Sequence, residues 1–411
     1  MASRVTARRT GPGWNSFDAV PGRSRTANQF ECGRRVLRAR YDDLGLLPDD
    51  ETATDITVDY GSISSGLEAA DSGDEVLVAE GTYRESATVS TPDISVIAPD
   101  GAELDPRGNT GIELRAADVT INGINVVGEG DETAVRVAAA DAQVTEATIE
   151  NADVAVEIVS GNNAEVRGVT VRNGEVGVLT AGGGDAEIAF SRFVDTTTGV
   201  EAASDSLQIR GTEITGAERA VLLTPEAANA EITGNGFFDN EVGVLLRGSA
   251  GHELATSNLE ANAISVLAEP VEAETEAVVA TAATQPQTAT AENISTQATD
   301  LQAVENWYGN VDAADVIVDR AGGIEIESVA DEPYTGASFN ITAVDAPETV
   351  AESDPITVTT DIENAGDLTG LRDVALSING ETVDAEELEL TTGEADTVKL
   401  TYETTALDVG E

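Results

Sequence analysis

Residues 175–218 consist of two blocks of 22 residues, EVGVLTAGGGDAEIAFSRFVDT and TTGVEAASDSLQIRGTEITGAE, which share one layout. Each block holds three short apolar stretches, with small and polar residues between them. A stretch of this length suits one short strand, and a fixed period of this size is typical of a solenoid built from stacked coils. The two blocks therefore predict a coil with three strands and a turn after each.

The same period continues on both sides of these blocks and defines three apolar columns. The first column is Ile112, Val135, Val156, Val178, Val200, Leu222, Val244 and Val266. The second column is Val144, Val166, Ile188, Ile209, Ile232 and Leu254. The third column is Val126, Ile149, Val171, Phe193, Ile214, Phe237 and Leu259. Stacked coils lie about 4.8 Å apart, as neighbouring strands do, so each column is expected to form one buried ladder.

An exposed first coil needs a cap, and residues 61–104 are expected to supply it. Ser64-Ser65 is predicted to N-cap a helix over residues 66–71, which lays Leu67 and Ala70 over the core. A turn and the strand of the opening coil are expected to follow.

Two motifs at the ends of this region resemble a known superfamily. Residues 73–85, GDEVLVAEGTYRE, resemble the opening coil of the right-handed parallel β-helix superfamily, which includes pectate lyases and the NosD-type periplasmic copper-binding proteins. Residues 305–310, ENWYGN, resemble the closing element of NosD-type helices. The resemblance covers about residues 55–325 and implies a right-handed parallel β-helix, which we place at residues 51–330.

From Ser338 onward the strands become longer and alternate polar with apolar residues. Residues 362–366, IENAG, and 374–380, VALSING, resemble the CARDB family of cell-adhesion sandwiches, and Asn379-Gly380 is a hairpin signal. We therefore expect residues 331–411 to form an immunoglobulin-like β-sandwich. We expect it to be incomplete, because the chain stops where that family would continue into its last strand.

The charge balance is strongly acidic, with 76 acidic and 22 basic residues and a formal net charge of −54. Acids alternate with Val, Ile and Leu, which favours a folded acidic surface over a polyanionic tail. Lys399 is the only lysine. The pattern resembles proteins of extremely halophilic archaea and suits molar salt. Nucleic acid is excluded as an expected partner because phosphate binding needs clustered Lys and Arg, and no apolar run is long enough for a membrane span.

Two segments depart from this pattern. Residues 1–50 include a basic stretch, with nine arginines and two acids in the first forty residues. No apolar region of a signal peptide is present there, so we expect a disordered or wrongly included segment and leave a basic interaction arm as the alternative. Residues 268–300 lose the period and are rich in Ala, Thr, Glu and Gln, which predicts a long insertion before the closing coil.

Ladders of Asn and Asp follow the third column. Two residues after it stand Asn151, Asn173, Asp195, Gly216, Asp239 and Ala261, with Asn240 and Asn262 adjacent. These residue types fill turn positions with positive φ. As a catalytic alternative, Asp195 and Asp239 are expected about 10 Å apart along the axis, at or slightly beyond the carboxylate separation of inverting glycosidases, about 6.5–9.5 Å.

Metal and cofactor chemistry has few candidate residues. Cys32 is the only cysteine and His252 the only histidine, so a copper set of the NosD kind does not carry over easily, and we expect an exposed surface histidine. We expect no cofactor. Ca²⁺ remains open without a specific motif, since acid clusters such as residues 49–51 are not distinctive here.

The resemblance to pectate lyases implies clustered acids for Ca²⁺ and an Arg or Lys as base. Five arginines were predicted to lie along one flank of the β-helix, and the simpler interpretation is that they neutralise neighbouring acids. They are Arg167, Arg172, Arg192, Arg210 and Arg247.

The leading functional hypothesis is an exported, salt-adapted surface scaffold that binds polysaccharide or a cell-surface partner without catalysis. The alternatives are a polysaccharide lyase or glycoside hydrolase, and a NosD-like accessory protein for metalloenzyme assembly. Asn293 and Asn340 begin N-glycosylation sequons, which fits an extracellular or cell-surface location. Export signal, ligand identity and oligomeric state stay open.

Overall fold

The computed structural model describes residues 5–9, 57–130, 132–270, 299–347, 355–378 and 381–403. These residues form a parallel β-helix followed by antiparallel sheets. The predicted fold class, an all-β right-handed parallel β-helix with an incomplete sandwich behind it, is confirmed. The domain boundaries at 51–330 and 331–411 stay a prediction.

The elements are numbered in chain order. The opening coils contain β1 Val5–Arg9, β2 Thr57–Tyr60, α1 Ile63–Ala69, β3 Asp74–Val78, β4 Gly81–Tyr83, β5 Ala87–Val89, β6 Ile94–Leu104, β7 Ile112–Leu114, β8 Val119–Val127 and β9 Thr133–Val137. The central coils contain β10 Gln143–Thr145, β11 Thr148–Glu150, β12 Val154–Ile158, β13 Glu165–Arg167, β14 Thr170–Arg172, β15 Val176–Thr180, β16 Glu187–Ala189, β17 Arg192–Val194, β18 Thr198–Ala202, β19 Gln208–Arg210, β20 Glu213–Thr215 and β21 Arg219–Leu223.

The closing coils and the C-terminal sheets complete the described chain. The closing coils contain β22 Glu231–Thr233, β23 Gly236–Phe238, β24 Val242–Arg247, β25 His252–Ala255, β26 Asn258–Glu260, β27 Ile264–Glu269, β28 Leu301–Val304, α2 Ala313–Val316, β29 Ile317–Asp319 and β30 Ile324–Ile326. The C-terminal sheets contain β31 Phe339–Asp345, β32 Pro355–Asn364, β33 Gly370–Ile378, β34 Glu381–Leu390 and β35 Ala395–Glu403.

Each coil contributes to three parallel ladders, as the three columns predict. Val144, Val166, Ile188, Ile209, Ile232 and Leu254 pair in register along the second ladder. Val126, Ile149, Val171, Phe193, Ile214, Phe237 and Leu259 do so along the third. All of these side chains are buried in one core. The second and third columns are therefore confirmed throughout.

The first column holds except at Leu222, where the sequence prediction is wrong by one residue. Val221 pairs with both Val200 and Val244 and is fully buried in the prism, whereas Leu222 pairs with Glu201. Neighbouring side chains of a strand point to opposite faces, so Leu222 lies on the outer face. There Leu222 is buried in a separate apolar cluster together with Val242, Leu245 and Leu267.

The helix of the cap lies earlier in the chain than predicted. The helix begins at Ile63 with Ser62 as N-cap, whose hydroxyl accepts from the Ser65 N–H, rather than with Ser64-Ser65. Leu67 and Ala70 are buried against the core, as predicted.

Within residues 1–50 the structure describes only Val5–Arg9, a strand that pairs antiparallel with β2 and β3. The open edge of the first coil offers these five residues their backbone partners. The expectation that residues 1–50 are disordered or wrongly included stays a prediction.

The C-terminal region has a sheet of β31, β32 and β35 and a hairpin pair of β33 and β34. A small core lies between them, with Ile362 and Leu390 among its members. Ile341 pairs with Ile362 on the same face, yet Ile341 is 65% exposed. The inner face of β31 is therefore uncovered at Ile341, whereas Phe339 of the same strand packs against the core. The predicted hairpin residues 379–380 and most of the 268–300 insertion lie outside the described residues.

Candidate functional site

The Asn and Asp ladder after the third column serves the backbone. Asn151, Asn173, Asp195, Gly216, Asp239 and Ala261 all have left-handed φ values between 55° and 74°. Asn and Asp tolerate this conformation because their short side chains bond locally. The turn interpretation of the ladder therefore agrees with the structure.

Asp195 and Asp239, the candidate catalytic pair, are both exposed at these turns. Gly216 occupies the coil between them, and a Cβ on Gly216 would lie 2.6 Å from Oδ1 of Asp195. The turn geometry accounts for both residues without a reaction, and their catalytic role stays a hypothesis.

Inside the turns runs a buried asparagine ladder. The Asn240 Nδ2 donates to the Ile214 carbonyl at 3.0 Å and to Asn262 Oδ1 at 3.0 Å. Its Oδ1 accepts from the Ala217 N–H at 2.9 Å, and Asn262 Nδ2 donates to the Phe237 carbonyl. These amides stand where the coil corner leaves backbone groups unpaired, so each one joins two coils.

A second ladder explains the closing motif. Asn235 Nδ2 donates to the Ile209 carbonyl, and the Ser257 hydroxyl accepts from the Asn235 N–H. Asn306 is fully buried, accepts from the Ser257 N–H at 3.0 Å and donates to the Leu254 carbonyl at 2.7 Å. The asparagine of the ENWYGN element therefore ends this polar ladder.

Three of the five predicted flank arginines pair only with acids of the coils. Arg172 lies 3.3 Å from Glu150, Arg192 lies 3.1 Å from Glu213, and Arg247 lies 3.6 Å from Glu269. These contacts agree with the interpretation that arginine neutralises neighbouring acids.

Arg167 and Arg210 also reach the C-terminal region. Arg167 donates to Glu387 at 3.1 Å and to Glu389 at 2.9 Å, and its side chain is only 11% exposed. Arg210 bonds Glu389 and Glu187. Both guanidinium groups contact the ring of Phe190, at 4.9 and 4.8 Å from its centroid. These two arginines therefore hold the sandwich against the β-helix.

Beside this contact lies a groove of about 400 Å³ between the β-helix and the sandwich. Its volume falls in the roughly 300–1,000 Å³ range of small-ligand sites. Four aromatic side chains line it, each half-buried: Phe190, Phe238, Tyr334 and Phe339. We call it the aromatic groove.

The floor of the aromatic groove pairs phenylalanines with glycines. A Cβ on Gly211 would lie 2.7 Å from the Phe190 ring, and a Cβ on Gly236 would overlap the Phe238 ring. Both rings therefore pack directly against glycine backbone, where no Cβ is in the way. On the opposite wall the Arg372 guanidinium lies 6.0 Å from the centroid of the Phe339 ring. Asn235 and Thr212 lie beneath the floor, almost fully buried, and their side chains are already bonded to backbone groups.

Sequence reasoning missed this groove. Aromatic residues make up only 4% of the chain, and Phe193 and Phe237 of the third column are core residues. A signal was present in Phe190 and Phe238, which stand outside the three columns and next to glycines in the layout. Phe339 and Tyr334 belong to a different region of the sequence, and only the folded chain brings them to the same place.

His252 is not exposed, contrary to the sequence expectation. It is 2% exposed, and its Nδ1 accepts from the Ala230 N–H at 3.1 Å. Burial lowers the pKa of His252 to about 4, and the nearby Asp300 opposes this only in part. The neighbouring coil supplies an N–H group that donates a hydrogen bond to the neutral imidazole, which explains why histidine is tolerated inside the wall.

We expect the imidazole of His252 to titrate near pH 4 in the folded protein. An unfolded histidine takes up its proton near pH 6.5. Because the folded pKa is lowered, the stabilisation by neutral His252 is complete above pH 6.5 and is lost as the pH falls toward 4. His252 is the only histidine, so its ring signals in an NMR titration report this directly. A midpoint near 6.5 would contradict the buried position.

An acidic groove of about 390 Å³ lies on another part of the β-helix, lined by Asp141, Glu165, Asp185 and Glu187 among others. Within the described residues, no group of three His, Cys, Asp or Glu side chains is arranged to hold a metal ion. Among the same residues, no helix is long and apolar enough to cross a membrane.

The family model of NosD, described as a periplasmic copper-binding protein, matches residues 107–278, which is less than half of the chain. Copper prefers imidazole, thiolate and thioether ligands. In the described part of the chain the one histidine is buried, with Nδ1 already bonded, and it stands in no cluster of potential ligands. The residues described here therefore do not fit a copper site.

Solved structures similar to the chain include tailspike proteins of E. coli bacteriophage HK620. The tailspike in complex with pentasaccharide shares 12% identity at a TM-score of 0.41 and covers 79% of this chain and 73% of its own. A mutant of that tailspike in complex with hexasaccharide shares 10% identity at a TM-score of 0.40 and covers 78% of this chain and 79% of its own. No curated protein matches the chain. Likeness at this level carries no argument about function.

Proposed function

We propose that the protein is an extracytoplasmic scaffold that binds polysaccharide, and that the aromatic groove is its binding site. The single observation that carries this proposal is the set of four aromatic side chains in a groove between two parts of the fold. The C–H faces of sugar rings pack on aromatic rings, whose faces carry partial negative charge.

The charge distribution supports an uncharged glycan over an acidic one. The chain carries a net charge of −54. The flank arginines that a lyase would use are paired with Glu side chains. An exported location is supported by the match to a family described as periplasmic. It is also supported by the exposed sequon residue Asn340 at the start of β31, while Asn293 lies outside the described residues.

We expect the Phe238→Ala variant to lose about tenfold in affinity for a glycan that the wild-type protein retains. The removed ring is worth about 1.5 kcal/mol of stacking. Binding is measured by calorimetry in molar KCl, after a panel of neutral and acidic polysaccharides has been screened by retention on immobilised protein. Phe238→Tyr keeps the ring and should keep the affinity.

Val311→Ala is the control, because Val311 is 53% exposed outside the groove and its truncation also removes exposed apolar surface. Equal affinities for the Phe238→Ala and wild-type proteins would place the glycan elsewhere. Cleavage of a polysaccharide that disappears in Asp195→Asn or Asp239→Asn would instead establish the enzyme alternative and end the scaffold proposal.

A further inference from the structure

Among the described residues, hydrogen bonds and ion pairs join the sandwich to the β-helix at two separate places, and a residue of each, Tyr334 and Phe190, lines the aromatic groove. The first is the segment that connects the two parts. The Tyr334 N–H donates to Asn258 Oδ1 at 3.0 Å, and the Tyr334 carbonyl accepts from Asn258 Nδ2 at 3.0 Å. Its hydroxyl donates to the Glu305 carbonyl at 2.6 Å. This side is tied by neutral hydrogen bonds that pH and salt hardly affect.

The second place is ionic. Glu387 and Glu389 of β34 meet Arg167 and Arg210 of the β-helix, and Phe190 lies against both arginines. Phe190 also lines the groove. We call these five residues the latch. The latch and the floor of the groove thus share a side chain.

The surroundings of the latch hold more acids than arginines. From the β-helix, Glu146, Glu165 and Glu187 face it, and from the sandwich Asp373 does. Together with the latch residues this gives six carboxylates against two guanidinium groups. Docking therefore brings like charges together around a small number of close pairs.

Burial and this crowding raise the pKa values of two carboxyls beside the latch, those of Glu146 and Glu165. Burial raises the pKa of Glu146, and the carboxylates of Glu387 and Asp373 raise it further, while Arg167 opposes them. Burial also raises the pKa of Glu165, with Glu187 and Glu387 adding to the shift against Arg167 and Arg210. An ionised carboxyl whose pKa is raised on docking opposes docking, so docking weakens as the pH rises above the ordinary value of Glu.

We infer that the sandwich is a hinged flap that completes the aromatic groove when the latch is closed and takes it apart when the latch opens. This inference rests on the proposed function only in giving the groove a ligand. The hinge is the Tyr334–Asn258 contact. The floor, with Phe190 and Phe238, belongs to the β-helix, and the wall, with Phe339 and Arg372, belongs to the flap.

Salt selects the closed state. At 1 M salt the Debye length is about 3 Å, so repulsion between carboxylates several ångströms apart is screened. The contacts of Arg167 at 2.9 and 3.1 Å are close to that length, and its side chain is 11% exposed. Molar salt therefore weakens the repulsion more than it weakens the latch.

The test measures the distance between the two parts in the unliganded, full-length protein. Spin labels at Ser160→Cys on the β-helix and Lys399→Cys on the sandwich, in a Cys32→Ser background, report it by pulsed electron resonance in molar KCl. Both label positions are exposed. We expect one short distance in the parent protein, and a loss of that distance in Glu389→Gln and in Arg210→Gln. Raising the pH through and above about 4.5, the ordinary value of Glu, should lower the closed fraction in the parent.

Glu150→Gln and Arg172→Gln are the matched controls, since that ion pair of 3.3 Å lies within the β-helix and does not touch the sandwich. Both should keep the short distance. In the Glu389→Gln background, Arg210→Gln should add little, because the shared contact is already lost. An unchanged distance in both latch variants, at circular dichroism like that of the parent, would overturn the latch.

Glycan affinity separates this inference from the proposed function. If the latch variants open and bind at least tenfold more weakly, both ideas hold. If they open and no glycan binds even the parent protein, the latch stands and the proposed function fails. If they stay closed while Phe238→Ala loses affinity, the proposed function stands and the latch fails.

Discussion

Dialysis from molar KCl into low-salt buffer is expected to abolish the cooperative thermal transition of the protein, and return of the salt should restore it. The chain carries 76 acidic and 22 basic residues. The β-helix places like charges side by side, because Glu165 pairs with Glu187 and Glu231 with Glu253 in neighbouring coils. Adjacent strands are about 4.8 Å apart, whereas in the unfolded chain these acids are a whole coil apart in sequence.

The size of the effect follows from the number of such contacts. Two unit charges about 4 Å apart repel by about 1 kcal/mol in water, and screening over about 3 Å at 1 M salt removes most of the longer-range part. Domains are stable by only about 5–15 kcal/mol, so about five to fifteen such unscreened contacts would offset the stability of the β-helix. Thermal melts followed by circular dichroism across a KCl series measure this.

Sucrose at matched osmolality is the control, since it leaves the charges unscreened and should not restore the transition at low salt. Glu231→Gln with Glu253→Gln should lower the salt needed at the midpoint. A melting temperature that does not depend on KCl would show that the acidic surface has no such role.

The repeat was predictable because its period repeats one physical requirement. Each coil must send a few apolar side chains into a narrow prism, so the second and third columns could be placed residue by residue. The first column failed at Leu222, where Ala220, Val221, Leu222 and Leu223 are all buried. An outer apolar cluster removes the alternation between inner and outer faces, and without it the sequence does not fix which residue points inward.

Features that depend on contacts between distant segments were not predictable. The groove needs Phe190 and Phe238 to meet Phe339 and Arg372, which share no period with them. His252 looked like a turn residue, and only the N–H of Ala230 in the previous coil makes its burial acceptable. The sequence places Asn240 and Asn262 beside a turn ladder, but their role inside the wall depends on which backbone groups the corner leaves unpaired.

The Asn240→Ala variant is expected to lose about 3 to 5 kcal/mol of unfolding free energy. Asn240 is 3% exposed, and its amide bonds the Ala217 N–H, the Ile214 carbonyl and Asn262. Alanine cannot replace any of these bonds, and no water reaches a site this buried without cost. Each buried group left without its partner costs about 1–3 kcal/mol. Chemical denaturation in molar KCl measures the loss as a lower midpoint at an unchanged slope.

Asn173→Gly provides the matched control at the exposed edge of the same corner. Asn173 has φ of 56° and is exposed, and glycine adopts this conformation without strain. Its stability should stay within about 0.5 kcal/mol of the parent. A large loss in Asn173→Gly with little loss in Asn240→Ala would mean that the turn side chains, rather than the buried amides, join the coils. The expected order follows from burial alone, because water can replace the bonds of an exposed amide but not those of one enclosed between coils.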